Sequence, residues 1–259
     1  VPELPSPASR LRHVEHAMGT VFSFDVRGYA DEVRARDALA AAVASLHQAD
    51  RLFSTYREDS QVSRLSRGNP AHDDHHPDLA EVMALCEEAE RITGGWFSPR
   101  YAGPAWDPTG LVKGWAVERA ARTLAADGGA SSVCVNGGGD VQLLGGPWRT
   151  GVSDPLNPGA LVAIVESLGA GDLAVATSGP AERGCHILDP HTAEPPATAL
   201  ASVTVITSAL TTADVCATAA YAMGATRARA WLEALPDTEA LLITPDGTTW
   251  RTRGFPHPR

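Results

Sequence analysis

The residues able to do chemistry fall in a few short runs. In Ala213-Asp214-Val215-Cys216-Ala217-Thr218, Asp214 and Thr218 are four apart and share one face of a helix otherwise made of small apolar residues. A carboxylate buried there needs a partner. It is either a first-turn acid favoured by the helix dipole or a ligand for a hard cation such as magnesium. Asp107-Pro108-Thr109-Gly110-Leu111-Val112-Lys113-Gly114 sets a carboxylate just before a helix and an amine in its first turns. Asp107 is either a helix cap or part of an anion site completed by Lys113. Thr177-Ser178-Gly179 precedes His186-Ile187-Leu188-Asp189-Pro190. A histidine beside a hydroxyl-rich turn is either structural or a proton acceptor. A serine hydrolase is disfavoured, because no G-x-S-x-G elbow is present.

Two further runs carry weaker signals. Asn136-Gly137-Gly138-Gly139-Asp140 lies between two β-like runs, so it is neither a dinucleotide fingerprint nor a phosphate loop; a tight turn or a close approach of backbone to ligand remains. His72, His75 and His76 with Asp73 and Asp74 have the composition of a metal cluster without ordered spacing and read as a solvated loop.

These residues need elements to hold them. Phe22, Phe24 and Val26 alternate with Ser23 and Asp25 as a half-buried strand. Leu39, Val43 and Leu46 predict a helix within 31–50. Leu79, Val82, Met83 and Cys86 predict another over 78–92, closed by Gly94-Gly95. A helix is expected from Gly110 to Ala126. Short strands are expected at 132–135, 141–144, 161–165, 173–176 and 203–206. A helix from about 209 to 223 should end at Gly224, followed by a second short helix and a strand pair near 241–244 and 248–251. Helices lead, strands fill the middle, and no steady alternation of the two occurs. That favours an α+β fold, with mixed or antiparallel sheets and packed helices, over a doubly wound parallel sheet. Residues 1–10 are proline-rich and expected to fray, leaving one domain over 11–259.

Composition bounds the function. The 259 residues carry a formal net charge of −10, which argues against nucleic acid as a partner. The hydrophobic fraction of 44% suits a folded core, and no apolar run is long enough for a transmembrane segment. Cys86, Cys134, Cys185 and Cys216 form no C-x-x-C pair and read as free thiols of a reducing compartment. With no export signal or lipid-anchor cysteine visible, a cytoplasmic location is expected. Lys113 is the single lysine among 21 basic residues. Either chance left it, or a compact ammonium is required where a planar guanidinium would not serve.

Taken in order, Ala17-Met18-Gly19-Thr20, Phe53-Ser54-Thr55-Tyr56 with Asp59-Ser60, Gly95-Trp96-Phe97-Ser98, Asp107 to Gly110 with Lys113-Gly114, Asn136 to Asp140, Thr177 to Gly179, His186 to Pro190, and Asp214 with Thr218 resemble one family. The sequence resembles the ApbE family, the FAD:protein FMN transferases, from about residue 13 to 245. The resemblance implies Mg²⁺-dependent transfer of FMN from FAD to a Thr or Ser hydroxyl of a partner flavoprotein, with release of AMP. It implies that Asp214, Thr218 and the Gly110 carbonyl bind the metal. Met18, Tyr56, Phe97, Ser98, Asp107, Lys113, Thr177, Ser178 and His186 would line the FAD site, with His186 as the base. Hydrolysis of FAD to FMN and AMP, or FAD binding without catalysis, are the alternatives. Three departures stand out: Ser98 replaces the usual Asp, the segment from Phe97 to Asp107 is short, and Ala193 replaces the usual Gly. Acceptor sites in partner proteins resemble Asp-x-x-Thr/Ser-Gly-Ala-Thr. Here Met223 precedes Gly224-Ala225-Thr226, which excludes self-modification at that run.

Overall fold

An eight-stranded antiparallel sheet carries the structure, a computed structural model that describes residues 9–67, 76–101, 103, 105–169, 171–180, 187–196 and 200–256. Its strands are β1 (Arg10–Ala17), β2 (Thr20–Arg27), β3 (Ser132–Gly137), β4 (Asp140–Leu144), β7 (Leu173–Ser178), β8 (Ser202–Thr207), β9 (Glu239–Ile243) and β10 (Thr249–Arg251), in that spatial order. The hairpin β5 (Trp148–Ser153) and β6 (Leu161–Ser167) forms a second, two-stranded sheet. The helices are α1 (Glu32–Phe53), α2 (Gln61–Ser66), α3 (Pro77–Ile92), α4 (Thr109–Ala126) and α5 (Leu210–Ala234).

The period of two along the strands splits the core between the faces of the large sheet. Ala174, Ala176, Val203, Val205, Ala240 and Leu242 point toward the helices and join the main cluster. Val175, Leu241 and Ile243, one residue out of phase, meet Val152, Ala163 and Val165 of the hairpin. On the helical face α4 lies against β3 and β4, α5 lies against β7 and β8, and α1 packs on α4. Alanine makes that stacking close. The buried stripe of α1 is Ala35, Ala38, Ala42, Leu46, Ala49 and Phe53, so Leu46 faces inward as expected while Leu39 and Val43 are only partly buried at its flank.

The expected order of helices and strands is present, with additions. Arg10 is not frayed: it opens β1 and is an ion-pair partner of Asp25, and Ser9 Oγ donates to the Tyr29 carbonyl at 2.5 Å. Residues 1–8 lie outside the described residues, as do His72, Asp73, Asp74 and His75. His76 instead caps α3, its Nδ1 accepting from the Asp78 amide at 3.2 Å. Gly224, at φ +71° and ψ +166°, breaks α5 where the sequence places the end of its first helix. Cys86, Cys134 and Cys216 are free thiols, and burial pushes each up to about 12. Among the described residues no helix is long and apolar enough to cross a membrane.

Asp25 joins β1 to β2. Burial opposes its ionisation, but hydrogen bonds from Arg27 and Arg10 and their positive charge outweigh that and hold its carboxyl well below the usual carboxylate range. A depressed folded pKa contributes stability above the unfolded value of about 3.9, and this is lost as pH falls toward the folded value. Urea unfolding across pH should therefore show wild type more stable than Asp25→Asn by a constant margin above about pH 5, with the margin shrinking below about pH 4. A margin that does not change with pH would contradict this.

Candidate active site

The ends of α4, α5, β4 and β7 converge on a cavity of about 390 Å³, within the range of small-molecule sites. The helix starts are fixed from outside their own caps. The N-cap of α5, Ala209, makes no side-chain cap bond. The buried Gln142 of β4 accepts from the Leu210 amide at 2.8 Å, and Glu118 of α4 accepts from the Thr211 amide at 3.0 Å. Those two contacts set where Asp214 stands, one turn further on. At the start of α4 the cap position belongs to Pro108, and Asp107 takes the Thr109 amide through Oδ1 at 2.9 Å. Its Oδ2 accepts from the Tyr101 hydroxyl at 3.1 Å. Burial, and then the Asp107 charge, push the Tyr101 phenol up to about 12.

Most of the expected site residues meet at this cavity. Phe97, Ser98, Asp107, Gly110, Lys113, Thr177, Ser178, Asp214 and Thr218 all line it. Asp214 is buried at 5% exposure, and its Oδ2 accepts from the Gly114 amide at 3.2 Å. In an α-helix that same amide faces the carbonyl four residues back, so the Gly110 carbonyl and the Asp214 carboxylate flank one N–H. A Cβ at Gly114 would stand 2.9 Å from Asp214 Cβ and 3.0 Å from the Leu210 carbonyl, so glycine is what lets the two helices approach. Thr218 Oγ1 lies 3.3 Å from Ser178 Oγ. The three residues expected to hold a metal therefore line one cavity. Among the described residues no group of three His, Cys, Asp or Glu side chains forms a metal site.

Met18 and Tyr56 are not brought to the lining. Met18 sits in the β1–β2 turn at φ +48°, half-buried against the main core. Thr20, two residues on, lies against Gly138, a lining residue: a Cβ at Gly138 would stand 2.8 Å from Thr20 Oγ1. Tyr56 is 97% exposed. His186 lies outside the described residues, while Ser178 and Gly179 before it, and Ile187 and Leu188 after it, line the cavity.

Three lining residues that sequence reasoning did not assign to the site bear on its chemistry. Trp96 and Tyr101 extend the aromatic wall beside Phe97. Trp96 is met edge-on by His191, with ring centroids 4.6 Å apart, and faced by the Arg227 guanidinium at 5.2 Å. The third, Asp140, forms an ion pair with Lys113. Two of the three departures noted in the sequence have a definite local setting. Ser98 Oγ accepts from the Arg100 amide at 3.2 Å, so that side chain shapes its own turn. Ala193 holds φ +57°, a left-handed conformation that glycine adopts without strain.

Known proteins share this sequence pattern and this fold. The ApbE family model matches residues 18–107 and 100–242. The FAD:protein FMN transferase of Treponema pallidum (strain Nichols) is 32% identical over 166 residues, covering 56% of this chain and 45% of that protein. The FAD:protein FMN transferase of Vibrio cholerae serotype O1 is 34% identical over 142 residues, covering 49% and 41%. The aligned region thus spans less than half the length of these curated relatives. Among solved structures, the flavinyl transferase ApbE of Pseudomonas stutzeri superposes with a TM-score of 0.81 at 24% identity, over 96% of both chains. The flavin transferase ApbE of Vibrio cholerae gives 0.76 at 22% identity, over 96% of this chain and 99% of that one. The fold is shared with both, and with the family model matched over most of its length, the chain belongs to the ApbE family.

Proposed function

We propose that this chain is a Mg²⁺-dependent FAD:protein FMN transferase. It takes FAD as substrate, moves FMN to a Thr or Ser hydroxyl of a partner flavoprotein, and releases AMP. The observation that carries this reading is the convergence of Asp214, Thr218 and Gly110 with Lys113 on one cavity that has an aromatic wall. The names of the curated relatives support it.

The donor set fits a hard divalent cation, which takes oxygen ligands. Asp214, Thr218 and the Gly110 carbonyl would hold the ion, whose charge would offset that of the diphosphate. Lys113 adds an ammonium for the phosphate oxygens. Phe97, Trp96 and Tyr101 offer apolar surface for a flat ring. In the reaction the acceptor oxygen forms a bond to the FMN phosphorus. The bond from that phosphorus to the bridging oxygen breaks, and AMP departs with that oxygen. The hydroxyl proton is assigned to His186, whose chain neighbours line the cavity.

The test is incubation with FAD, Mg²⁺ and a peptide carrying the acceptor motif, followed by separation of AMP, free FMN and peptide-linked FMN. Equal amounts of AMP and peptide-linked FMN are expected. AMP with only free FMN, in the presence of a folded acceptor protein as well as the peptide, would replace transfer by hydrolysis. Intact FAD throughout would overturn both.

A further inference from the structure

The Gly137-Gly138-Gly139-Asp140 turn plays no part in the reading above, yet it ends on an aspartate that lines the cavity. Gly138 and Gly139 take φ of +59° and +94°, and Asn136 Oδ1 accepts from the Gly139 amide at 3.1 Å. That turn starts β4 with Asp140 buried at 1% exposure. Asp140 Oδ1 accepts from the Thr177 amide at 2.8 Å, which ties it to the end of β7 beside Ser178. Its Oδ2 meets the Lys113 ammonium, which is also 3.9 Å from Asp214 Oδ2.

We propose that Asp140 is the positioning residue for Lys113, fixing its ammonium between β4 and α5 so that it meets the diphosphate of a bound dinucleotide. This rests on the FAD reading. Three observations converge on it. Asp140 is itself held rigidly by a backbone amide, so its carboxylate is a fixed anchor rather than a mobile surface charge. The Lys113 side chain is only 19% exposed, so its direction is set by its partners more than by water. It is also the one lysine in a chain with twenty arginines. A compact ammonium fits between two closely set carboxylates, where a planar guanidinium would demand a wider gap.

Charge and position make opposite predictions for Asp140→Asn, and that separates them. Removing a negative charge from the cavity favours an anionic ligand, while releasing Lys113 misplaces a group at the reacting phosphate. Misplacement by about 1 Å can cost on the order of 100-fold in rate. Asp140→Asn should therefore lower kcat by about 10- to 100-fold while FAD binds as tightly as to wild type or tighter. Lys113→Met should lower kcat as well. The double variant should be no slower than Lys113→Met alone, because Asp140 acts through the lysine. Losses that multiply in the double variant, or an unchanged kcat in Asp140→Asn, would overturn the proposal. Lys113→Arg covers the case in which Asp140→Asn does not fold: it keeps the charge, and wild-type kcat in that variant would also overturn the proposal.

A second readout needs no turnover. Protein labelled with ¹⁵Nζ-lysine gives a single side-chain ammonium resonance. In wild type this signal should be resolved and distinct from free lysine. In Asp140→Asn it should move to the free-lysine position or vanish by exchange, with the backbone spectrum retained. An unmoved resonance would refute the anchor. If wild type bound no FAD and released no AMP, the transferase reading would fail, while the resonance would still decide whether Asp140 holds Lys113.

Discussion

Asp214→Asn is expected to slow AMP release from FAD by about 10²- to 10⁴-fold at millimolar Mg²⁺. The range follows from the several kcal/mol that a bound metal contributes to charge stabilisation, at about 1.4 kcal/mol per tenfold in rate. The side chain is buried on the inner face of α5, with the Gly114 amide on its Oδ2 and the Lys113 ammonium 3.9 Å from that oxygen. Asparagine keeps the shape and loses the charge. Circular dichroism and the unfolding midpoint should change little, while the Mg²⁺ concentration for half-maximal rate rises steeply. If instead Asp214 served only the helix dipole, the variant would lose at most about 1 kcal/mol of stability and keep its metal response. Titrating Mg²⁺ against the initial rate of both proteins separates the two roles.

Gly114→Ala carries the second large effect, and through packing rather than charge. A methyl at that position would meet Asp214 Cβ at 2.9 Å, the Leu210 carbonyl at 3.0 Å and Asp214 Oδ2 at 3.1 Å. All three of these atoms belong to the start of α5, so the helices must part or the carboxylate must turn. Overpacking of this kind costs about 1–3 kcal/mol. For a chain of this size that corresponds to a fall of roughly 2–10 °C in Tm. The displacement falls on the candidate metal ligand, so activity measured well below the new Tm should drop at least tenfold. Wild-type stability and rate in Gly114→Ala would show that the α4–α5 contact is looser than the structure describes.

The long amphipathic helices were legible because their faces repeat. Leu79, Val82 and Cys86 of α3 are all buried at the expected spacing, whereas Met83, on the same stripe, is 38% exposed at its edge. The alternation of Phe22, Phe24 and Val26 placed β2 correctly. Elements whose signal is local or polar were missed. β1 sets the half-buried His13 and Glu15 between Leu11 and Ala17 on its inner face and the exposed Val14 among Arg10, Arg12 and His16 on the other, so its alternation is weak. α2 is six residues long, under two turns, and β5 is interrupted by Gly151. The same distinction governs the site. Asp214 with Thr218, and Asp107 with Lys113, could be read because each pair lies within a helix or at its start. The Lys113–Asp140 pair joins residues on different elements, which no periodicity reports. The solitary lysine was the one trace of it in the sequence.

The most direct measurement is a crystal structure of the chain with FAD and Mn²⁺ in place of Mg²⁺, with the metal located by its anomalous scattering. One strong peak is expected within about 2.0–2.6 Å of Asp214 Oδ, Thr218 Oγ1 and the Gly110 carbonyl, with the FAD diphosphate beside it and within reach of Lys113. A peak elsewhere, or FAD bound away from this cavity, would contradict the assignment of the active site.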